Sequence, residues 1–418
     1  MGGRVPQQQD HVRVTTAAER PADPPLLASR LSPAAPREPV VARPRLLRRL
    51  DQGSAGPVTL VAGPAGWGKT TLLASWVRLI VAPPEAGPVP AAPEVGEGLA
   101  TLDVGPGGAL PGAGLRPAWV SVEAGDDGDR LWTYLAAALR AATGPADDQP
   151  SGPMPAGPPR PDQLEVLAAA LAAADRPVLL VLDDLHRITD PAALTGLEFL
   201  LRHSEQRLHL VIGARAGLPL ALHRLRLAGE LTEIGPDELA FTDDEVADLL
   251  TALGVPMPAA ALRRLRERTG GWPAALRIAA LALRGQPDPA RWVEQFGGDQ
   301  PDIAGYLHEE VLAAIDPADR DLLLRSALAG TVCADLAEAL TGRADAGRTL
   351  ADLAGIGGLL HRQDSRPPWY RIHPLLDDLL RVELSRLPAD ELRELHVRAA
   401  DWYAADGRPA DGLPPPPA

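Results

Sequence analysis

Apolar residues follow two rhythms along this chain, and the change between them falls near residue 233. Before it, short apolar runs at 58–62, 118–122, 178–182 and 208–213 read as buried strands, separated by helically spaced stretches at 71–77, 130–142, 163–174 and 192–203. Strands alternating with helices predict a parallel sheet with helices on both faces. After it, strand signals nearly stop. Segments 243–253, 259–269, 273–283, 303–315 and 317–329 carry Leu, Ala and Val at helical spacing. Thr242 ahead of Asp243-Asp244-Glu245, and Asp316 ahead of Pro317, mark two helix starts. Further on, Gly358-Leu359-Leu360-His361-Arg362 and Trp369-Tyr370-Arg371-Ile372 flank a polar turn and read as a hairpin. Helices followed by a hairpin predict a small winged-helix domain, and a last helix is expected at 390–404.

Proline-, glycine- and alanine-rich stretches punctuate this pattern and set the expected boundaries. Residues 1–38 read as a disordered or loosely draped arm whose arginines are solvated. Residues 39–235 read as the α/β domain, with exposed insertions at 83–117 and 144–161. A helical domain at 236–300, a winged-helix domain at 301–386 and a helical stub with a proline tail at 387–418 complete the expected order. No internal repeat is long enough for a solenoid.

Composition narrows the setting. Of 418 residues, 45% are hydrophobic and only 4% aromatic, so Leu, Ala and Val must build the cores. The single cysteine, Cys333, excludes an internal disulfide and suits a reducing cytosol. The first forty residues lack the apolar core of a secretory signal, and the apolar runs are too short to span a bilayer. A soluble cytoplasmic protein without membrane partners is the expectation. A formal net charge of -14 argues against nonspecific polyanion binding.

Chemistry concentrates at the chain's only lysine. Lys69 lies in Gly63-Pro64-Ala65-Gly66-Trp67-Gly68-Lys69-Thr70, a complete G-x-x-x-x-G-K-[ST] phosphate loop between an expected strand and an expected helix. Every other basic residue is arginine, whose planar fork cannot replace a compact ammonium in a phosphate cradle. Glycines 63, 66 and 68 let the backbone approach phosphates, with the N–H groups around Thr70 and Thr71 directed at them. Lys69 neutralises phosphate oxygens, and the Thr70 hydroxyl is placed to ligate Mg²⁺.

The run 178–182 ends in Asp183-Asp184, as a Mg²⁺ site beside a phosphate loop requires. Asp183 is expected in the metal's coordination sphere, through a water, and Asp184 as the group that orients or deprotonates the attacking water. Without the phosphate loop, the same pair reads as a strand end with a helix N-cap. Arg215, after the run 208–213, reads equally as a γ-phosphate sensor or as a solvated arginine. His186 and His209 read as structural, since neither has ligand spacing to another His or Cys.

Together these motifs resemble the nucleotide-binding module of the large ATP-binding LuxR-type (MalT-like) regulators, a branch of the signal-transduction ATPases with numerous domains. The resemblance runs from Val41-Ala42-Arg43-Pro44-Arg45 through Trp119-Val120-Ser121-Val122, Leu182-Asp183-Asp184-Leu185-His186 and Ala214-Arg215. It continues through Leu225–Ile234, Gly270-Gly271-Trp272-Pro273, Tyr306-Leu307-His308-Glu309-Glu310 and Trp369-Tyr370-Arg371-Ile372-His373-Pro374. It implies an α/β fold: a P-loop NTPase parallel sheet flanked by helices, then a helical domain acting as a lid and a small winged-helix domain. By this resemblance, Arg43 and Pro44 close over adenine and Pro273 packs on the base, which favours ATP and ADP over GTP. His373 would approach the β-phosphate of ADP and lock a closed state; otherwise it is a packed histidine at a helix start.

The family usually continues into a helical-repeat sensor and a DNA-binding helix-turn-helix, which are not expected in these 418 residues. The winged-helix region is not expected to bind DNA itself, because 8 Arg against 14 Asp and Glu over 301–385 leave a net of -6. Three readings remain open: an ATP/ADP switch with slow hydrolysis and nucleotide-dependent self-association, an active remodelling ATPase, or a fragment acting through longer relatives.

Overall fold

The computed structural model describes residues 26–35, 39–81, 114–143, 159–215, 218, 220–356, 358 and 360–407. The expected tail beyond 407 and most of both insertions lie outside the described residues. The first half is built from α1 (Pro44–Gly53), β1 (Val58–Ala62), α2 (Lys69–Val81), β2 (Arg116–Ser121), α3 (Gly128–Thr143), α4 (Pro161–Ala172), β3 (Val178–Asp183), α5 (Pro191–His203), β4 (Leu208–Ala214), α6 (His223–Ala228) and β5 (Leu231–Ile234). All five strands are parallel, in the order β2-β3-β4-β1-β5.

Alternation along the strands divides the core in two. Val58, Val120, Leu180, Leu182, Leu210 and Ile212 pack under α3, α4 and α5. Val61, Trp119, Leu179, Val181 and Val211 face the other way, into a core shared with α1 and α2. That second core runs on without a break into the helical and winged-helix regions.

Those regions comprise α7 (Pro236–Leu239), α8 (Asp243–Ala252), α9 (Ala259–Thr269), α10 (Pro273–Leu283), α11 (Pro289–Gln295), α12 (Pro301–Tyr306), α13 (Pro317–Ser326), β6 (Thr331–Cys333), α14 (Ala334–Thr341), α15 (Ala346–Ile356), β7 (Leu360–Arg362), β8 (Trp369–Ile372), α16 (Pro374–Leu384) and α17 (Ala389–Ala405). The expected hairpin is β7-β8, and β6 adds a third antiparallel strand in the order β6-β8-β7. Among the described residues, no helix is long and apolar enough to cross a membrane.

Four expectations need correction. The arm is not wholly loose: Arg30 is 4% exposed, with its Nε donating to Ser121 O at 3.0 Å, its guanidinium paired with Asp126, and its Cζ 3.9 Å from the Tyr134 ring centroid. A long-range carboxylate and an aromatic face capture an arginine that local composition marks as solvated. Arg116 and Pro117 belong to β2 rather than to an insertion, because β2 pairs with β3 from Arg116↔Val178 onward. Likewise Pro161 opens α4, at the first helical position that proline favours.

The segment 303–315 is not one helix. α12 stops at Tyr306 and gives way to a π-helical turn, Leu307–Val311, and a 3₁₀ turn, Leu312–Ala314. Helical spacing of apolar residues is kept on average while the hydrogen-bond pattern shifts, which periodicity cannot detect.

Candidate functional site

Topology brings three strand ends together. β1 lies between β4 and β5, and β3 lies beside β4, with Ala62 opposite Ala214 and Asp183 opposite Gly213. The C-terminal ends of β1, β3 and β4 therefore open onto one crevice, the usual ligand position in a parallel sheet.

The glycine loop leaves β1 with Gly63 N donating to Ala214 O at 3.1 Å. Gly66 and Gly68 adopt φ of +73° and +75°, the left-handed region that a side chain disfavours. The chain then enters α2 at Lys69. First-turn N–H groups of a helix have no intrahelical acceptor, so those of Lys69, Thr70 and Thr71 point toward the crevice.

Lys69 is buried, and its Nζ donates to Gly63 O at 2.7 Å and Pro64 O at 2.9 Å. Burial pushes its amine down to about 8, against the pull of Asp184. Asp183 is 4% exposed at the tip of β3. Burial pushes its carboxyl up to about 6, opposed by a hydrogen bond from the Thr70 side chain and reinforced by Asp184. Its Oδ1 has no hydrogen-bond partner. A carboxylate oxygen buried without a donor, next to a threonine hydroxyl, is a donor set suited to a divalent cation.

Gly213 makes room for that carboxylate: a Cβ there would stand 2.6 Å from Asp183 Oδ1 and 3.0 Å from Leu73 Cδ1. Asp184 has φ +61° and ψ +31°, a left-handed backbone that aspartate tolerates better than most residues. His186 Nδ1 lies 3.8 Å from Asp184 Oδ1 and has no hydrogen-bond partner of its own. Burial pushes its imidazole below the ordinary range against the pull of Asp184, with Arg215 and Lys69 also lowering it. His186 thus belongs to the same electrostatic neighbourhood as Lys69, Asp184 and Arg215, which the absence of metal-ligand spacing could not reveal. The signal that could have found it was its place three residues after Asp183.

The helical and winged-helix regions sit directly on the glycine loop. Ala274 N donates to Gly66 O at 3.1 Å, and Trp272 Nε1 donates to Ala65 O at 3.2 Å. A Cβ on Gly66 would lie 2.5 Å from Tyr306 Oη and 2.6 Å from Ala274 Cβ, and one on Gly68 would meet Pro273 Cγ at 4.0 Å. Trp67 is buried, and its ring would stand 3.0 Å from a Cβ on Gly358. A narrow cleft between the loop and these regions is lined by Pro64, Ala65, Trp67, Trp272, Val311 and His373, among others.

Two residues expected at the nucleotide are otherwise engaged. His373 caps α16, its Nδ1 accepting from Leu375 N at 3.3 Å, while its Nε2 lies 3.1 Å from Thr269 O. With Nδ1 as acceptor, Nε2 carries the proton and donates to Thr269, so both ring nitrogens are occupied. Arg43 is 7% exposed and donates to Leu239 O, Ala240 O and Glu245 Oε2, at 2.8, 3.1 and 3.0 Å. Hydrogen bonds from Arg45 and Arg43 hold the Glu245 carboxyl low against burial, which works to raise it.

Pro44 stands at the first turn of α1. The Arg43 guanidinium stacks over Phe241 at 4.4 Å, and Phe241 N donates to Gly271 O at 2.8 Å, so this pair reaches the Pro273 turn through Phe241. Arg215, just after β4, pairs with Glu310 at 3.7 Å. Lys69, Thr70, Asp183, Asp184, Arg215 and Pro273 are thus gathered around Gly63, Gly66 and Gly68, Thr71 is exposed beside them, and Arg43 and His373 stand one contact removed.

Residues 37–212 match the family model described as AAA ATPase domain, and residues 308–392 match the one described as MalT winged helix domain. Over 395 residues the chain is 31% identical to serine/threonine-protein kinase PknK of Mycobacterium tuberculosis, which covers 92% of this chain and 32% of that protein. It is 31% identical over 396 residues to the HTH-type transcriptional regulator MalT of Cronobacter sakazakii, covering 93% of this chain and 40% of that one. The chain therefore spans between 32% and 40% of the length of these curated relatives. A Walker-type ATPase of Pyrococcus abyssi shares the fold, with a TM-score of 0.50 at 16% identity over 82% of this chain and 97% of that one. The P-loop ATPase sheet and the winged helix seated on it make this chain a carrier of the MalT-like module: an AAA ATPase domain followed by a MalT winged helix domain.

Proposed function

We propose that this module is a nucleotide-controlled switch that binds ATP or ADP with Mg²⁺ and hydrolyses ATP slowly, turnover resetting its state. The observation that carries this reading is the pair of hydrogen bonds from the Trp272-Pro273-Ala274 turn into Ala65 and Gly66. Anything that fills or moves the glycine loop acts at once on the regions packed over it. In this reading residues 39–235 form the nucleotide domain, 236–300 the lid and 301–386 a winged-helix cover, held together in the closed form.

The loop N–H groups and the Lys69 ammonium grip the phosphates. To meet them, Lys69 exchanges its carbonyl acceptors at Gly63 and Pro64 for phosphate oxygens. Thr70 and Asp183 are the residues that would hold Mg²⁺, which supplies neutralising charge to the phosphates. Asp184 orients or deprotonates the attacking water, and Arg215 senses the terminal phosphate. Arg43, Pro44 and Pro273 border the base. His373 stabilises the closed form by joining winged helix to lid, and it reaches the β-phosphate only by giving up Thr269. Opening releases surface for association with a second copy or with longer relatives.

Calorimetric titration with ADP, ATP and GTP, with mass measurement in each state, tests the switch. Binding of adenine nucleotides that Lys69→Ala abolishes, with a change of mass between ADP and ATP, is the expected result. Unchanged affinity in that variant sinks it. The AAA ATPase match favours a second reading, a working remodelling ATPase; steady turnover at or above about 1 s⁻¹ would select it.

A further inference from the structure

Arg215 and Glu310 belong to different regions of the chain. Arg215 follows β4 at the strand end beside the glycine loop, whereas Glu310 sits on the π-helical turn Leu307–Val311. Their Nη2 and Oε2 atoms are 3.7 Å apart, with side chains 28% and 51% exposed. That turn is firmly seated on the nucleotide side. Tyr306, immediately before it, sets its hydroxyl against Gly66 and its ring 5.4 Å from Trp272 in an edge-on contact, and Leu307 and Val311 line the cleft with Pro64 and Ala65.

The guanidinium therefore stands between two anionic demands. On the sheet side the anion is Asp184, whose charge and that of Arg215 both act on Lys69 and His186, with opposite sign. On the cover side lie Glu310 and Tyr306, whose phenol is raised by burial and by Glu310 and lowered by Arg215. A guanidinium fork makes its strongest contacts with one carboxylate or one phosphate at a time.

We propose that Glu310 is a positioning residue that holds Arg215 toward the winged helix, so that the terminal phosphate of a nucleoside triphosphate must displace it. Glu310 then biases the site toward the diphosphate, and triphosphate binding loosens the winged helix from the sheet through this pair. The inference rests on the nucleotide reading above and adds the element that discriminates the two nucleotides. Because the pair is partly exposed, its effect is modest, a two- to five-fold bias, roughly that of an exposed ion pair.

The test compares ADP with a non-hydrolysable ATP analogue by calorimetry at fixed salt, in the wild type, Glu310→Gln, Glu310→Asp, Arg215→Gln and the double variant Glu310→Gln/Arg215→Gln. Glu310→Gln should tighten the analogue by about two- to five-fold relative to ADP. Glu310→Asp should restore the wild-type preference, and the double variant should match Arg215→Gln alone. Thermal melts in parallel check that each variant is folded. A wild type that binds both nucleotides, with a preference Glu310→Gln leaves unchanged, overturns the role of Glu310 alone. So does a gain that persists without Arg215. A wild type that binds neither nucleotide removes the underlying nucleotide reading as well.

Discussion

The imidazole Nε2 of His373 and the carbonyl oxygen of Thr269 lie 3.1 Å apart, across 104 residues of sequence, and join the start of α16 to the end of α9. The contact is closely fitted: a Cβ on Gly270, the next residue, would stand 2.9 Å from the same nitrogen. Burial pushes this imidazole from 6.5 down to about 4. A histidine held neutral in the fold takes up more protons when unfolded, so its contribution is complete above pH 6.5 and is lost as pH falls toward 4. At pH 5 the expected loss is about 2 kcal/mol from this group. Chemical denaturation between pH 7 and 5 measures it, and His373→Asn, which keeps a capping side chain without the titration, should show a shallower slope.

Lys69 is buried, with its ammonium held by two carbonyls of the glycine loop. Lys69→Ala should weaken ATP and ADP about 100-fold or more, given charge-assisted hydrogen bonds of about 1.5–3 kcal/mol each. Lys69→Arg should not restore binding, because the planar fork cannot occupy the same space. Titration of both variants at matched thermal stability decides the point.

At Gly213, alanine would press on Asp183 Oδ1 and Leu73. Gly213→Ala should cost about 1–3 kcal/mol of stability by overpacking. The more telling consequence is displacement of the Asp183 carboxylate from Thr70. Mg²⁺-dependent enhancement of nucleotide affinity should fall more than the affinity measured with EDTA present.

Gly66→Ala meets both a left-handed backbone and the Tyr306 hydroxyl. Relief requires the winged helix and the Trp272 turn to withdraw from the loop. A lower melting temperature together with greater quenching of tryptophan fluorescence by acrylamide is expected, since Trp67 and Trp272 are buried at that contact. A melting temperature equal to that of the wild type would contradict the packing described above.

Glu245 is the only carboxylate with which Arg43 pairs among the described residues, with side chains 8% and 7% exposed. Glu245→Ala leaves the buried Arg43 charge with the Leu239 and Ala240 carbonyls but no carboxylate to balance it, and should cost about 3–5 kcal/mol. Urea denaturation measures the loss, and Glu245→Gln should recover part of it by keeping the hydrogen bonds.

Much of the scaffold was legible in order along the chain. The runs at 178–182 and 208–213 became β3 and β4 because buried parallel strands must be apolar on both faces. β5 was missed, since Leu231-Thr232-Glu233-Ile234 is half polar and lies at the sheet edge. The break after Tyr306 was invisible because a π-helical turn preserves apolar spacing. Arg30 was misjudged because its partners, Asp126 and Tyr134, are 96 and 104 positions away.

By itself, the sequence determined the phosphate loop, the acidic tip of β3 and the alternation that makes a parallel sheet, because each depends on neighbours a few residues apart. Only the tertiary structure decided that Trp272, Tyr306 and Gly358 press on the loop, that His373 is spent on Thr269 and that Arg215 comes within 3.7 Å of Glu310. Those pairings follow from how separately formed elements pack into one continuous apolar core, a long-range outcome that no local periodicity encodes.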